Sequence, residues 1–153
     1  MRSPQSDVHE RPESRHRIGL SRSAEQRALQ VAIALGGIVP VTAGLAGVLL
    51  GSAMLDEPMA TVSLDSQIRY LSGLLLAIGL ASWSLIPKIA TATQSFRLIT
   101  FLVLLGGLAR LGGVLAVGAP SAPMMFGLIM ELIVTPALCV WQARVARRWQ
   151  LSA

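Results

Sequence analysis

The chain has 153 residues, of which 53% are hydrophobic and only 14% are charged, and its mean hydropathy is +0.62. About a quarter of the residues in a typical soluble domain are charged, so this chain lacks the polar surface that would cover a globule in water. The composition therefore predicts an integral membrane protein. It argues against a water-soluble enzyme and a disordered protein. The net charge of +5 does not indicate nucleic-acid binding, because the basic residues flank apolar spans.

The first 24 residues mix basic and acidic side chains and contain no apolar run. A segment of this kind cannot bury enough apolar surface to order itself. We expect a mobile cytoplasmic tail over residues 1–24, or at most a short surface helix. A transmembrane domain is expected to follow over residues 25–149.

The first predicted span covers about residues 29–50 and has no charge after Arg27. Twenty-two residues of helix are about 33 Å long, which is enough to cross the ~30 Å hydrocarbon layer. Hydrocarbon offers the backbone no hydrogen-bond partners, so the segment must be helical. Ala43, Gly47 and Gly51 recur every four residues and predict a smooth face for close helix packing.

Three more apolar spans follow, separated by short connections. Ser63 or Asp65 is placed to cap the second span, and Pro87 is placed to end it. The predicted spans lie at about residues 68–86, 98–117 and 124–141. Four helices joined by short connections predict an all-α integral membrane protein, folded as a four-helix antiparallel up-down transmembrane bundle.

The basic residues predict the orientation of this bundle. The N-terminal segment, the connection 87–97 and the C-terminal end hold six, two and three basic residues, whereas the other two connections hold none. Cytoplasmic loops are enriched in Lys and Arg. Both termini are therefore expected in the cytoplasm, and four alternating spans require the same arrangement.

Two charged residues lie inside predicted spans, Arg110 in the third and Glu131 in the fourth. A charge at that depth costs at least about 2.5–3.5 kcal/mol. Each residue lies about eight positions from the turn between the two helices, so an antiparallel hairpin places them at nearly the same depth. A guanidinium and a carboxylate make a two-point contact of fixed geometry. We therefore predict that Arg110 and Glu131 form an ion pair.

A third charged residue, Arg69, lies about one turn inside the second span. In one interpretation it points outward and pairs with Asp65, one turn earlier on the same face. In the other it reaches towards Glu131. Three more side chains complete the candidate buried polar cluster as possible hydrogen-bonding partners: Tyr70, Ser72 and Thr135.

The cluster has a structural and a functional interpretation. As a structural element, a buried ion pair fixes the register of two helices, although such a pair is weak grounds for high stability. As a functional element, the arginines bind an anionic group, or Glu131 carries a proton. Both histidines lie in the first 24 residues, no Cys or His cluster has metal spacing, and no Ser–His–acid set occurs in the apolar region. No catalytic residue, metal site or cofactor is therefore expected.

Several short segments resemble a known bacterial membrane family. They are Asp65-Ser66-Gln67-Ile68-Arg69-Tyr70-Leu71-Ser72-Gly73, Gly106-Gly107-Leu108-Ala109-Arg110, Glu131-Leu132-Ile133-Val134-Thr135-Pro136 and Trp141-Gln142. In order and spacing they are similar to the family catalogued as domain of unknown function 4345, over about residues 28–148. The resemblance implies a four-helix protein of the bacterial inner membrane and brings no activity with it. Small redox-linked four-helix proteins of the DoxX type are similar in outline only.

The sequence thus favours a multi-pass inner-membrane protein that is a non-enzymatic accessory or structural component with a buried Arg–Glu pair. Its expected partners are the lipid bilayer and either further copies of itself or a larger membrane complex. One alternative is a binding or carrier protein for a lipid headgroup or a small organic anion. Another is a small subunit of a membrane redox complex.

Overall fold

A computed structural model describes residues 12–55 and 61–151, with the side chains from residue 23 onward. This described part is entirely helical and contains no strand. Its α-helices are α1 (Pro12–Leu50), α2 (Val62–Ser84), α3 (Thr93–Val117), α4 (Ala122–Ile129) and α5 (Thr135–Gln150). Short 3₁₀ turns follow α1 and α2, at Gly51–Leu55 and Ile86–Lys88. A π-helical segment, Met130–Val134, joins α4 to α5 without a break, so four long rods result.

Three of the four rods are long and apolar enough to cross a membrane. They are Ser23–Leu55, Thr93–Val117 and Ala122–Gln150. The second rod, α2, is not among them, although the sequence pattern predicts a span there. Its first half contains Gln67, Arg69 and Tyr70, which lower the apolar character of the whole helix. The all-helical architecture is therefore present, with three candidate spans in place of four.

Helix α1 is longer than the apolar pattern predicts. It begins at Pro12 and continues without interruption to Leu50. Residues 12–24, expected as part of a mobile tail, thus continue the first helix, while residues 1–11 lie outside the described part of the chain. Proline suits the first turn of a helix because its fixed φ is already helical and its missing N–H would have no partner there. The polar composition of this segment does not reveal the extension, because a helix can propagate along a polar segment once its nucleus exists.

Helix α2 begins at Val62, nearly two turns before the predicted span, and uses a different cap. Thr61 is its N-cap, and the Thr61 hydroxyl accepts the N–H of Leu64 at 3.2 Å. Neither Ser63 nor Asp65 has this role, because the helix begins at Val62. The end of α2 agrees better with the sequence: the helix stops at Ser84, and Pro87 lies in the 3₁₀ turn that follows.

Helices α1 and α2 pack closely along glycines of α1. A Cβ added at Gly44 would lie 2.6 Å from the backbone nitrogen of Leu76, and one added at Gly37 would lie 2.7 Å from Cδ1 of Trp83. The Nε1–H of Trp83 donates to the carbonyl of Ala34 at 3.0 Å. As residue numbers increase along α1, the residues of α2 that they contact have decreasing numbers, so the two helices are antiparallel. Glycines permit such close approach because they leave the facing backbone uncovered.

The last rod packs antiparallel to both α3 and α1. Against α3, Glu131 and Leu132 contact Gly107, and the Nε2–H of Gln142 donates to Oγ1 of Thr93. Against α1, Leu138 contacts Gly36. We call the end with residues 29, 89 and 145 the termini end, and the end with residues 50, 62, 117 and 122 the hairpin end.

A core cluster of buried apolar residues lies at the termini end. Its buried members come from α1, the connection after α2, α3 and α5: Leu29, Ile33, Ile89, Phe96 and Val145. The free thiol of Cys139 packs against this cluster. Towards the hairpin end, long apolar side chains are largely exposed, for example Leu115 at 80%. The core shared between the rods therefore lies at the termini end, and towards the hairpin end α1 packs on α2 while α3 packs on the last rod.

We expect Gly44→Ala to destabilise the packing of α1 on α2. The new Cβ would meet the α2 backbone at 2.6–2.8 Å, so the helices would have to separate, at a cost of about 1–3 kcal/mol. The free energy of unfolding, titrated with a denaturing detergent, measures this loss.

The matched control is Gly106→Ala in α3, where a Cβ would meet no atom of the described chain within 4 Å. This change is expected to leave stability unchanged or to raise it by up to about 1 kcal/mol through helix propensity. Equal losses in the two variants would contradict the close approach of α1 and α2.

Candidate functional site

The two charged residues inside the apolar rods lie beside each other. Nη2 of Arg110 is 3.3 Å from Oε1 of Glu131. The side chain of Glu131 is 16% exposed and that of Arg110 is 39% exposed. A Cβ added at Gly127 would lie 3.4 Å from Nη1 of Arg110, so the guanidinium lies against the bare backbone of α4. Glycine at positions 107 and 127 is what lets the two helices approach closely enough for this contact.

Glu131 lies in the π-helical segment, and the sequence explains why the helix widens there. Pro136 has no N–H to donate to a carbonyl four residues earlier, and its ring would clash with that carbonyl. The N–H of Thr135 instead donates to the carbonyl of Met130, five residues earlier, and its Oγ1–H donates to the same oxygen at 2.9 Å. Segments of π-helix occur frequently at functional sites. Thr135 thus supports the backbone under Glu131 and does not bind its carboxylate.

The ion pair is poorly supplied with hydrogen bonds. A guanidinium has five N–H donors, yet Arg110 donates no hydrogen bond to any residue of the described chain. Oε2 of Glu131 is buried and has no partner among residues 12–55 and 61–151. Beside Arg110 on α3, Gly106 and Gly113 have no atom of the described chain within 4 Å of a Cβ position. One face of the guanidinium therefore borders open space.

Arg69 is held in a different place, at the hairpin end of α1 and α2. Its Nε–H donates to Oδ2 of Asp65 at 2.8 Å, and its Nη1 donates to the carbonyls of Val48 and Leu49 at 2.7 and 3.1 Å. Those carbonyls belong to the last turn of α1, where no later N–H of the helix is available. Arg69 thus pairs with Asp65 and caps α1, and it does not reach Glu131.

Asp65 completes this junction between the two helices. Its Oδ1 accepts the backbone N–H of Ser52 at 2.8 Å and the Ser52 hydroxyl at 3.1 Å. The hydrogen bond from Arg69, followed by that from the Ser52 backbone, lowers the pKa of Asp65 from 3.8 to about 2. Pairing of Asp65 with Arg69 is one of the two interpretations that the sequence allows. The contact of Asp65 with Ser52 was not predicted, because nothing in the sequence indicates the fold of residues 51–55.

Tyr70 and Ser72 do not join the ion pair. Tyr70 is 61% exposed and makes no hydrogen bond with the rest of the described chain. Ser72 lies against Gly47, at the contact between α1 and α2. The predicted polar cluster is therefore divided into two groups. Arg110 and Glu131 connect α3 to the last rod, whereas Arg69 and Asp65 connect α1 to α2.

Two glutamines form polar contacts that the charge pattern did not reveal. Gln142 is fully buried, and its Nε2–H donates to the carbonyl of Ile89 at 2.8 Å. Gln30 donates from Nε2 to the carbonyl of Ile86 at 2.9 Å. Both carbonyls lie in the connection between α2 and α3, where the Ile86 carbonyl also accepts the backbone N–H of Ile89 at 3.4 Å. An uncharged amide inside an apolar run is the signal that would have found these residues.

A further ion pair joins the first and last helices: Arg148 of α5 contacts Glu25 of α1.

Within residues 12–55 and 61–151, no group of three or more His, Cys, Asp and Glu residues is arranged to hold a metal ion.

Comparison with known proteins gives one match. The family model described as "Domain of unknown function (DUF4345)" matches residues 28–142. A search of curated proteins found no match, and a search of solved structures found none either.

The junction at Asp65 predicts a pH dependence of stability. Because the pKa of Asp65 is lower in the folded protein, at about 2, than its ordinary value of 3.8, the carboxylate stabilises the fold fully above pH 3.8. This stabilisation is lost as the pH falls towards 2. We expect Asp65→Asn to remove that part of the acid dependence. Thermal unfolding in detergent between about pH 5 and about pH 2 measures this acid dependence. The same loss of stability with falling pH in the variant would exclude this role for Asp65.

Proposed function

The chain belongs to the DUF4345 family, whose description assigns no activity, and we propose that it is a non-enzymatic accessory or structural protein of the bacterial inner membrane. In this proposal its four helical rods span the membrane as an antiparallel bundle, and the ion pair between Arg110 and Glu131 organises the bundle. The observation that carries the proposal is the 3.3 Å contact between these two side chains in rods that are otherwise apolar.

The ion pair suits a structural role because of the medium around it. In hydrocarbon neither charge has water as an alternative partner, so each depends on the other. Removing one partner of a buried pair typically costs about 3–5 kcal/mol, because the remaining charge is left uncompensated. A sliding movement of α3 along the last rod by one turn would separate the charges by about 5 Å. The pair therefore favours a single register of the two helices.

The proposed membrane placement rests on hydropathy and charge. Three rods have the length and composition of membrane spans, and α2 packs against the first of them through glycine contacts. Eleven of the thirteen basic residues lie in the N-terminal segment, in the connection 87–97 and at the C-terminal end, and four alternating spans place these segments on one side of the membrane. The positive-inside rule then places both termini in the cytoplasm. The largely exposed apolar side chains towards the hairpin end are suited to lipid.

The proposed partners follow from the same surfaces. An accessory protein of this size would act through contacts with further copies of itself or with a larger membrane complex, for which exposed apolar rods provide the surface. Membership as a small subunit of a redox complex is the alternative. It predicts co-purification with an intact dehydrogenase from native membranes, whereas the structural proposal requires no such enzyme.

A double-mutant cycle tests the ion pair. We expect Arg110→Leu and Glu131→Leu each to destabilise the protein by about 3–5 kcal/mol. The double variant should be clearly more stable than the sum of the two losses predicts, because it leaves no unpaired charge. Unfolding in a denaturing detergent provides the free energies. If the two single losses simply add in the double variant, the pair does not organise the bundle.

Thiol labelling tests the proposed orientation. In a Cys139→Ser background, Ser121→Cys at the hairpin end should react with a membrane-impermeant maleimide in intact cells from which the outer membrane has been removed. Thr91→Cys at the termini end should react only after the inner membrane is permeabilised. Residues 91 and 121 are both exposed in the fold, so a difference in labelling reports the side of the membrane. A reversed labelling pattern would mean a reversed orientation.

A further inference from the structure

Among the described residues, the two arginines at the hairpin half differ in how many of their donors are used. Arg69 makes hydrogen bonds with Asp65 and with two carbonyls of α1. Arg110 makes one ionic contact at 3.3 Å and no hydrogen bond to the described chain. Because unsatisfied donors are costly where water is excluded, Arg110 is the arginine whose chemistry calls for an acceptor from outside the chain.

Space for that acceptor exists on one side of the guanidinium. Gly106 lies one turn before Arg110 on α3, and Gly113 lies one turn after it. Neither would place a Cβ within 4 Å of any atom of the described chain, and neither would Gly112. In contrast, Gly37, Gly44 and Gly107 each have such an atom within 3 Å. The glycines around Arg110 are therefore not explained by packing within the chain, although each costs helix propensity of about 1 kcal/mol relative to alanine.

The depth of Arg110 indicates what kind of molecule can supply the acceptor. The guanidinium lies against Gly127, five residues from the start of α4 and thus about 8 Å below the hairpin end. Helix α3, with 25 residues, is about 38 Å long and exceeds the ~30 Å hydrocarbon layer by about 4 Å at each end. Arg110 lies seven residues before the end of α3, so in a centred helix its Cα lies about 7 Å inside the hydrocarbon, with the guanidinium beside Gly127. The headgroup of an amphiphile can reach it while its chain stays in the membrane.

We propose that Arg110 and the face of α3 bordered by Gly106 and Gly113 bind the oxyanion of a membrane amphiphile, a carboxylate or phosphate attached to an acyl chain. Oxygens of such groups match the planar fork of a guanidinium. Gly113 clears the path from the headgroup region to Arg110, and Gly106 leaves room for the start of the chain. The site goes beyond the structural role of the ion pair and rests on the proposed membrane placement.

The charge of Glu131 gives this site an unusual signature. Glu131 already neutralises Arg110, so binding depends on the unused N–H donors and on apolar contact, and the carboxylate opposes the bound anion. Removing the negative charge with Glu131→Gln should therefore tighten binding, whereas Arg110→Gln should weaken it. If the ion pair served only to hold the helices together, the two substitutions would not change the binding affinity in opposite directions.

The test uses a photoreactive fatty acid in phosphatidylcholine vesicles containing the full-length protein. We expect labelling on the α3 peptide that contains residues 106–113, about tenfold weaker apparent affinity in Arg110→Gln, and about tenfold stronger apparent affinity in Glu131→Gln. Gly113→Leu should block labelling without loss of stability, because nothing in the described chain opposes its side chain. Ala137→Leu, which adds similar bulk at an exposed position of α5, should label as the unmodified protein does.

Competition separates the possible sources of the oxyanion. Oleate or phosphatidylglycerol should displace the probe, whereas acetate and inorganic phosphate should not; equal displacement by acetate or phosphate would overturn the amphiphile and indicate a site for a small anion. Labelling that is unchanged in Arg110→Gln, Glu131→Gln and Gly113→Leu would overturn the site itself. Neither result affects the double-mutant cycle or the orientation test, so failure of this site is distinguishable from failure of the proposed function.

Discussion

The constraint on which this structure depends is that a polar group inside an apolar rod must find its partner within the protein. Hydrocarbon provides no donors or acceptors, so each polar group otherwise costs several kcal/mol. In this chain three kinds of pairing meet the constraint, although Oε2 of Glu131 and Oε1 of Gln142 are buried without a hydrogen-bond partner in the described chain. Backbone groups pair within the helices, side-chain amides pair with carbonyls of a connection, and charged side chains pair with each other. Each polar contact between rods therefore also fixes how those rods are joined.

The contacts are distributed along the bundle in a consistent order. At the termini end, Gln30 and Gln142 hold the connection between α2 and α3 through the carbonyls of Ile86 and Ile89, next to the core cluster of buried apolar residues. At the hairpin end, Arg69 and Asp65 join α2 to the last turn of α1. These two groups fix the ends of the rods. The middle of the bundle is held by glycine contacts between α1 and α2.

The sequence predicted helices, their order and the ends of the first three, because apolar runs of about 20 residues allow few other structures. It also placed residues 110 and 131 at similar depth, because residues equally far from the turn of an antiparallel hairpin lie at the same level. It did not predict that α1 would extend back to Pro12, because helix propagation along a polar segment leaves no periodic signal. Nor did it identify Thr61 as the cap of α2, since several adjacent residues have side chains that can cap a helix.

The partners of Arg69 could not be decided from the sequence, because they depend on where the end of α1 lies relative to α2. The spacing of Asp65 and Arg69 favours a contact within one helix, but the carbonyls of Val48 and Leu49 are supplied by tertiary structure. Once those carbonyls satisfy Arg69, the two arginines cease to be equivalent. Arg110 faces a carboxylate with one unpartnered oxygen and a helix surface where glycine leaves space. In the proposed membrane placement, donors that the chain itself leaves unused are the ones that an outside molecule can satisfy. That is why we place the proposed ligand site at the ion pair and not at the junction of Arg69.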